Sequence, residues 1–284
     1  MYTDKFRKKI EEKKVLIASH RGVSGGCIIE NTLDSFNLAI EAGADILEFD
    51  IIRSKDGIYF VYHDKEESRT LGFLNNIHSF TAAEIEKFEY LNRYGFKTSR
   101  KMDRFEEVLK ALKGKVLINL DRCCHGGFDY LRGALEIIGR FDMFDQVLVK
   151  TVVKEEILKD IEKYYPQILY MPIVNRVEQV ELCEKHDINI FALELLFENE
   201  DAEIISDDNI RKWKQKGYEL WANAICIDER YIMSGGHNDN VALTEDKDIG
   251  WGWLVDKGFT IIQTDWPFFL NKYLMRKIRY DDKN

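Results

Sequence analysis

Eight short runs rich in Val, Ile and Leu recur along the chain, with helical stretches between them, and no other feature limits the fold as tightly. They are Val15–Ser19, Ile46–Ile51, Val116–Leu120, Val147–Thr151, Ile168–Met171, Ile188–Leu193, Tyr218–Trp221 and Thr260–Gln263. Near-continuous apolarity suits a strand covered on both faces. Between the runs, Phe105–Leu112, Phe128–Phe141, Glu155–Tyr164 and Val177–Lys185 carry apolar residues at helical spacing. Gly43, Gly114, Gly217 and Gly258 stand where a helix must stop before a strand. Eight strand–helix units predict the α/β class and a (β/α)8 TIM barrel. A doubly wound open sheet shares the alternation and is the rival. No Pro- or Ser-rich linker divides the 284 residues, so one domain over 1–284 is expected.

One interval is too long for a simple crossover. Residues 52–115 predict a small excursion between the second and third barrel strands. It should hold an extra strand, Ile58–Tyr62, entered by the turn Lys55-Asp56-Gly57, and helices over Thr81–Leu91 and Arg104–Lys113. Thr81 and Glu84 have capping-box spacing. Asp4–Lys13 reads as a helix closing the bottom of the barrel.

Composition removes several function classes. An apolar fraction of 45% and an aromatic fraction of 12% do not belong to a disordered chain. A formal charge of −9 argues against a bulk grip on nucleic acid or an anionic membrane, although a local basic pocket stays open. No basic amphipathic element stands out. No run approaches eighteen apolar residues, so no membrane span is expected. The N-terminus is charged where a signal peptide would be apolar. Cys27, Cys123, Cys124, Cys183 and Cys226 are odd in number and lack zinc-ligand spacing, which suits free thiols in a reducing compartment. A cytoplasmic protein acting on a small molecule is the expectation.

In such a barrel, chemistry lies at the C-terminal ends of the strands. The first run ends in His20-Arg21-Gly22. The second carries Glu48 and Asp50, and the third Asn119 and Asp121, each pair spaced by two and so on one side of its strand. Lys150, Glu194, Trp221, Asn223 and Gln263-Thr264-Asp265 follow on later strands, and the extra strand ends in His63-Asp64. Singly, each has an ordinary structural explanation; Trp221 taken alone suits packing better than stacking, but in this company it is expected to bind substrate. Together they predict a divalent cation among buried carboxylates, because such charges are costly without one. An oxygen-rich set favours Mg2+ or Ca2+ over zinc. Arg21 and Lys150 beside it suit phosphate, and two histidines suit acid–base work on a phosphate ester.

These residues resemble the glycerophosphodiester phosphodiesterases. His20-Arg21-Gly22, Glu30-Asn31-Thr32, Glu48-x-Asp50, Lys55-Asp56-Gly57 and His63-Asp64 match that family in order and spacing, as does Thr264-Asp265-x-Pro267 near the end. The resemblance implies hydrolysis of a glycerophosphodiester to an alcohol and glycerol phosphate. It implies His20 and His63 as the acid–base pair, Glu48 and Asp50 as metal ligands, and Arg21 on the phosphate. Glu30 would line the same pocket or, alternatively, cap the helix that follows it.

Two departures stand out. Ile29 replaces the proline that usually precedes Glu-Asn-Thr, and the third strand has Asn119 and Asp121 where the family has Glu-x-Lys. Glu48, Asp50, Asn119 and Asp121 sum to −3, and Lys150 brings this to the family's −2. The third carboxylate is therefore expected at Asp121, the phosphate-binding lysine one strand over at Lys150, and Asn119 could offer a neutral oxygen; the alternative is that Asp121 caps a loop and Lys150 pairs with it, with no metal role. The other readings are a phosphate- or polyol-binding barrel with a decayed metal site, a phospholipase-like enzyme forming a cyclic phosphate, and a sugar isomerase or aldolase barrel. Small deacylated headgroup esters are the favoured substrates. The loop Ser234–Asn240 reads as a lid or as a solvated turn.

Overall fold

A computed structural model describes residues 4–227 and 230–281. Its strands are β1 (Leu16–His20), β2 (Ile46–Arg53), β3 (Tyr59–Val61), β4 (Leu117–Asp121), β5 (Val147–Val152), β6 (Leu169–Val174), β7 (Ala192–Leu195), β8 (Glu219–Asn223) and β9 (Ile261–Thr264). The order is β1-β9-β8-β7-β6-β5-β4-β2, and β1 pairs with β2 to close the ring. All eight pairings are parallel, while β3 lies antiparallel on β2 as the extra strand. Closure through β1 and β2 removes the open-sheet rival.

Strand alternation divides the core into two parts. Leu16, Ala18, Ile46, Leu117, Leu148, Leu169, Met171, Trp221 and Ile261 fill the barrel interior. Their neighbours, such as Ile17, Leu47, Phe49, Ile118 and Val149, pack outward under the helices. Along one inward row the sequence changes from apolar to polar: Leu16-Ala18-His20, Ile46-Glu48-Asp50, Leu117-Asn119-Asp121 and Leu148-Lys150. The same period of two that buries the bottom of the barrel thus aims the polar side chains into its top.

The helix Asp4–Lys13 seals the lower end. Phe6 is fully buried with the interior cluster, its ring 5.2 Å from that of Phe191. Phe6→Ala should lower the unfolding free energy by about 3–5 kcal/mol, the usual cost of deleting a buried aromatic. Denaturant titration checks this, and a change under 1 kcal/mol would mean the helix is not a plug.

Most helices match their sequence patterns; Phe105–Leu112 and Glu155–Tyr164 coincide with them, and all four helix-ending glycines have positive φ. Two expectations need correction. Within Thr81–Leu91 only Ala82–Ile85 is helical. Glu84 accepts the Thr81 N–H at 2.8 Å as the capping spacing predicts. Beyond it, Phe88 leaves to pack at steep ring angles against Phe73 and Phe80, and the Tyr90 N–H donates to the Arg100 carbonyl at 2.9 Å. The sixth barrel strand begins at Ala192, not Ile188; Ile188 and Ile190 turn tightly, and Ile190 meets only Tyr170 in a single bridge. All five cysteines are free thiols. Among the described residues, no helix is long and apolar enough to cross a membrane.

Candidate active site

The site begins at the end of β1. His20 Nδ1 donates to Asp265 Oδ1 at 2.8 Å, just past β9. Burial opposes charge on this imidazole, but the Asp265 bond and the Glu48 charge prevail, so its pKa is raised above 6.5. The chain then turns sharply, with Arg21 at φ 53° and Gly22 at φ 76°. A Cβ on Gly22 would lie 2.7 Å from the Ser35 carbonyl carbon, so the His-Arg-Gly turn requires glycine. This turn lets the Arg21 N–H donate to Glu48 Oε2 at 3.1 Å, while its guanidinium meets Glu30 Oε1 at 2.9 Å and Asp50 Oδ2 at 3.2 Å.

Glu30 is an ion-pair partner, and the following helix is capped by Thr32 with Ser35. Arg69 also binds Glu30, at 2.7 and 3.0 Å. Burial would raise the Glu30 pKa, but Arg69 and Arg21 hold it at about 2. Asn31 grips Asp50 from both ends: Nδ2 donates to Oδ2 at 3.0 Å, and Oδ1 accepts the Asp50 N–H at 3.3 Å.

Strand register then assembles the acidic centre. Glu48 lies opposite Asn119, and Asp50 opposite Asp121. Carboxylate oxygens of Glu48, Asp50 and Asp121 fall within 4.8 Å of one another. Burial, reinforced by Asp50, pushes Glu48 up to about 7, against the pull of Lys150 and His20. The Asn119 Nδ2 donates to the Leu148 carbonyl at 3.1 Å, and its Oδ1 is buried without a hydrogen-bond partner. Three converging carboxylates with an orphaned amide oxygen on the paired strand are the donor chemistry of a hard cation.

Lys150 enters from β5. Its Nζ lies 2.8 Å from Asp121, 3.3 Å from Glu194 and 4.0 Å from Glu48. Burial disfavours the ammonium, but these three carboxylates keep it firmly protonated, and Lys150 in turn holds Asp121 below its ordinary range despite burial. Trp221 is fully buried and offers no surface to a ligand. It lies 6.0 Å below Lys150, and its Nε1 donates to Asn223 and Gln263. Asn223 in turn donates to Glu194 at 2.6 Å. Trp221 therefore supports the polar layer from beneath.

His63 arrives beyond β3 with a defined tautomer. Its Nδ1 donates to the Asp64 carbonyl at 2.7 Å, and its Nε2 accepts from Arg122 Nη1 at 3.1 Å. Both bonds together fit only the neutral ring with its lone pair on Nε2. Burial lowers this pKa, and Arg21 and Arg122 lower it further against the pull of Asp50. Arg122 carries no expectation from sequence, although it follows a strand-ending polar residue as Arg21 does. Both have φ 53°, and Arg122 is fixed by the Asp64 carboxylate. The Ser234–Asn240 loop is not a solvated turn, since only Asn240 of its residues is exposed. Ser234, His237 and Asp239 are buried, and Asp239 accepts the Asp265 N–H at 2.9 Å, bracing the partner of His20.

The parallel barrel thus carries two histidines, two arginines and a carboxylate cluster at its mouth. The family model of the glycerophosphoryl diester phosphodiesterase family matches residues 20–181, and the chain belongs to that family. A model for a domain of unknown function matches residues 170–274. A glycerophosphodiester phosphodiesterase of Caldanaerobacter subterraneus is 34% identical over 110 residues, which cover 38% of this chain and 45% of that protein. The chain thus spans under half the length of this curated relative. A glycerophosphoryl diester phosphodiesterase structure from Parabacteroides distasonis superposes with TM-score 0.73 at 18% identity, over 93% of this chain and 87% of that one. An Oleispira antarctica phosphodiesterase in complex with sn-glycerol-3-phosphate superposes with TM-score 0.65 at 19% identity, over 90% and 95%.

Proposed function

We propose that this protein hydrolyses glycerophosphodiesters to an alcohol and glycerol phosphate. The observation that carries the reading is the contrasting hydrogen bonding of the two histidines. Hydrogen bonds leave His63 neutral with a lone pair on Nε2, while Asp265 favours a charged His20. A base whose pKa lies below that of its partner acid is in its working form together with that acid over the whole interval between them. His63 Nε2 takes a proton from the attacking water as its oxygen bonds phosphorus. The ester P–O bond breaks, and His20 gives its proton to the departing alcohol. Arg122 must release Nε2 for this step, and Asp64 gives it a resting place. Arg21 and Lys150 supply fixed positive charge to the phosphate.

Glu48, Asp50 and Asp121, with Asn119, would hold the divalent cation, Mg2+ or Ca2+ by donor chemistry. When bound, such an ion offsets charge that builds on the phosphoryl oxygens. The decisive assay is a panel of glycerophosphodiesters with different headgroups, each measured with and without a strong chelator. Turnover should vanish with chelator and return with Mg2+ or Ca2+. Undiminished turnover in metal-free protein would remove the cation, and a cyclic product would favour attack by a neighbouring hydroxyl over water.

The pH–rate profile should be a bell. Its acid limb belongs to His63, below the ordinary 6.5, and its alkaline limb to His20, above it. Asp265→Asn replaces the carboxylate that raises His20 with a neutral amide. The alkaline limb should then move to lower pH while the acid limb stays. An unmoved alkaline limb would assign it to another group.

A further inference from the structure

We infer that the excursion between β3 and β4 docks the protein onto an anionic lipid surface. Of the large apolar side chains among the described residues, Leu74 at 89%, Tyr94 at 71% and Phe96 at 70% are the most exposed. All three belong to this excursion, on two adjoining loops. The loops are tied by the Leu91 N–H to the Thr70 carbonyl at 2.7 Å, and Gly72 rests against the Leu91 side chain.

The tip is a built turn. Leu91 pairs with Lys97, and the Asn92 N–H donates to the Phe96 carbonyl at 2.8 Å. Asn92 Oδ1 accepts from the Tyr94 and Phe96 N–H groups, each at 3.0 Å. Arg93-Tyr94-Gly95-Phe96-Lys97 therefore stands out as five consecutive exposed residues in one fixed conformation. Presenting the rings costs little ordering entropy.

Charge selects the occupant. The exposed tip Arg93–Lys97 carries Arg93 and Lys97 and no acidic residue, a net +2 in a chain of −9, whereas the nearby Arg100 is already paired with Asp103 and Asp34. Aromatic rings flanked by Lys and Arg match the headgroup layer of a bilayer, with the rings at the acyl boundary and the cations on anionic lipid. A protein partner needs about 800 Å² of complementary surface on each side, and a turn of five residues with one neighbouring leucine offers a small protruding tip. A bilayer demands no matching shape. This surface also supplies the basic apolar element that the sequence pattern did not reveal.

The tip communicates with the catalytic mouth. A groove of about 510 Å³ is lined by Asn92, Arg93 and Gly95 at one end and by Arg69 and Glu30 at the other, and Glu30 holds Arg21. Docking would lay this groove against the membrane. That consequence rests on the phosphodiesterase reading, whereas docking itself does not.

The test is co-sedimentation of the full chain with phosphatidylcholine vesicles, with and without phosphatidylglycerol. Binding should require phosphatidylglycerol and weaken as salt rises. Arg93→Ala with Lys97→Ala should bind roughly thirty-fold more weakly, and Tyr94→Ser with Phe96→Ser roughly tenfold or more. The Tyr94→Ser with Phe96→Ser variant should turn over a water-soluble glycerophosphodiester at the wild-type rate. Failure of wild-type protein to bind the anionic vesicles, or equal binding by either variant, overturns the proposal. So does a wild-type dimer in sedimentation velocity that Tyr94→Ser with Phe96→Ser dissolves, because the tip would then serve a second copy of the chain. Loss of the phosphodiesterase reading would appear instead as absent turnover with vesicle binding intact.

Discussion

His63→Ala lowers kcat by roughly 10^2- to 10^4-fold, and His20→Ala does the same, with the fold retained. Neither ring belongs to the core: His20 ends β1, and His63 lies just beyond β3. The two should not be additive, because in the proposed mechanism base and acid serve one displacement and the loss of either removes most of what the pair provides. Steady-state kinetics with thermal unfolding as a control checks this, and near-wild-type turnover in either variant removes that histidine from the chemistry. Arg122→Gln separates the tautomer argument from general damage. Arg122 helps to depress the His63 pKa, so its loss should raise that pKa and move the acid limb to higher pH. A structural role alone would lower the rate without moving the limb.

Lys150→Met destabilises the metal-free protein by about 3–5 kcal/mol at neutral pH, the usual cost of breaking a buried ion pair from one side. The change leaves Asp121, Glu194 and Glu48 without the ammonium that now sits among them. The sign of the pH dependence follows from Asp121, whose folded pKa is depressed, chiefly by Lys150 against burial. Stability from that pair is present above the ordinary Asp pKa and lost as pH falls through the folded value. The deficit of the variant should therefore be largest at neutral pH and shrink toward acid. Saturating Mg2+ or Ca2+ should recover part of it if the proposed cation is held by the folded cluster and not by the unfolded chain. A deficit independent of both pH and cation would mean that Lys150 acts through packing.

The barrel was legible because its cause is local: eight apolar runs with helical stretches between them admit few arrangements. The inward rows were equally legible, since a period of two puts Glu48 with Asp50, and Asn119 with Asp121, on one side. Less was visible where contact depends on distant chain. Arg122 lies next to a predicted ligand, yet its role comes from His63 and Asp64, some sixty residues earlier. Asp265 and Asp239 act on His20 through β9 and the loop beyond β8, which only barrel closure brings together. Trp221 shows the opposite failure. A polar layer needs a floor as much as a lining, and the spacing of Trp221 and Asn223 is the same for either. The excursion misled because an aromatic cluster of Phe73, Phe80 and Phe88, not helical periodicity, organises its chain.

The most direct test is hydrolysis of a glycerophosphodiester in 18O-labelled water, followed by 31P NMR with Mg2+ or Ca2+ present. The site described here predicts glycerol phosphate with one 18O on phosphorus and an unlabelled alcohol, formed by wild-type protein and not by His63→Ala. Absence of turnover across the whole headgroup panel, or label in the alcohol, would contradict it.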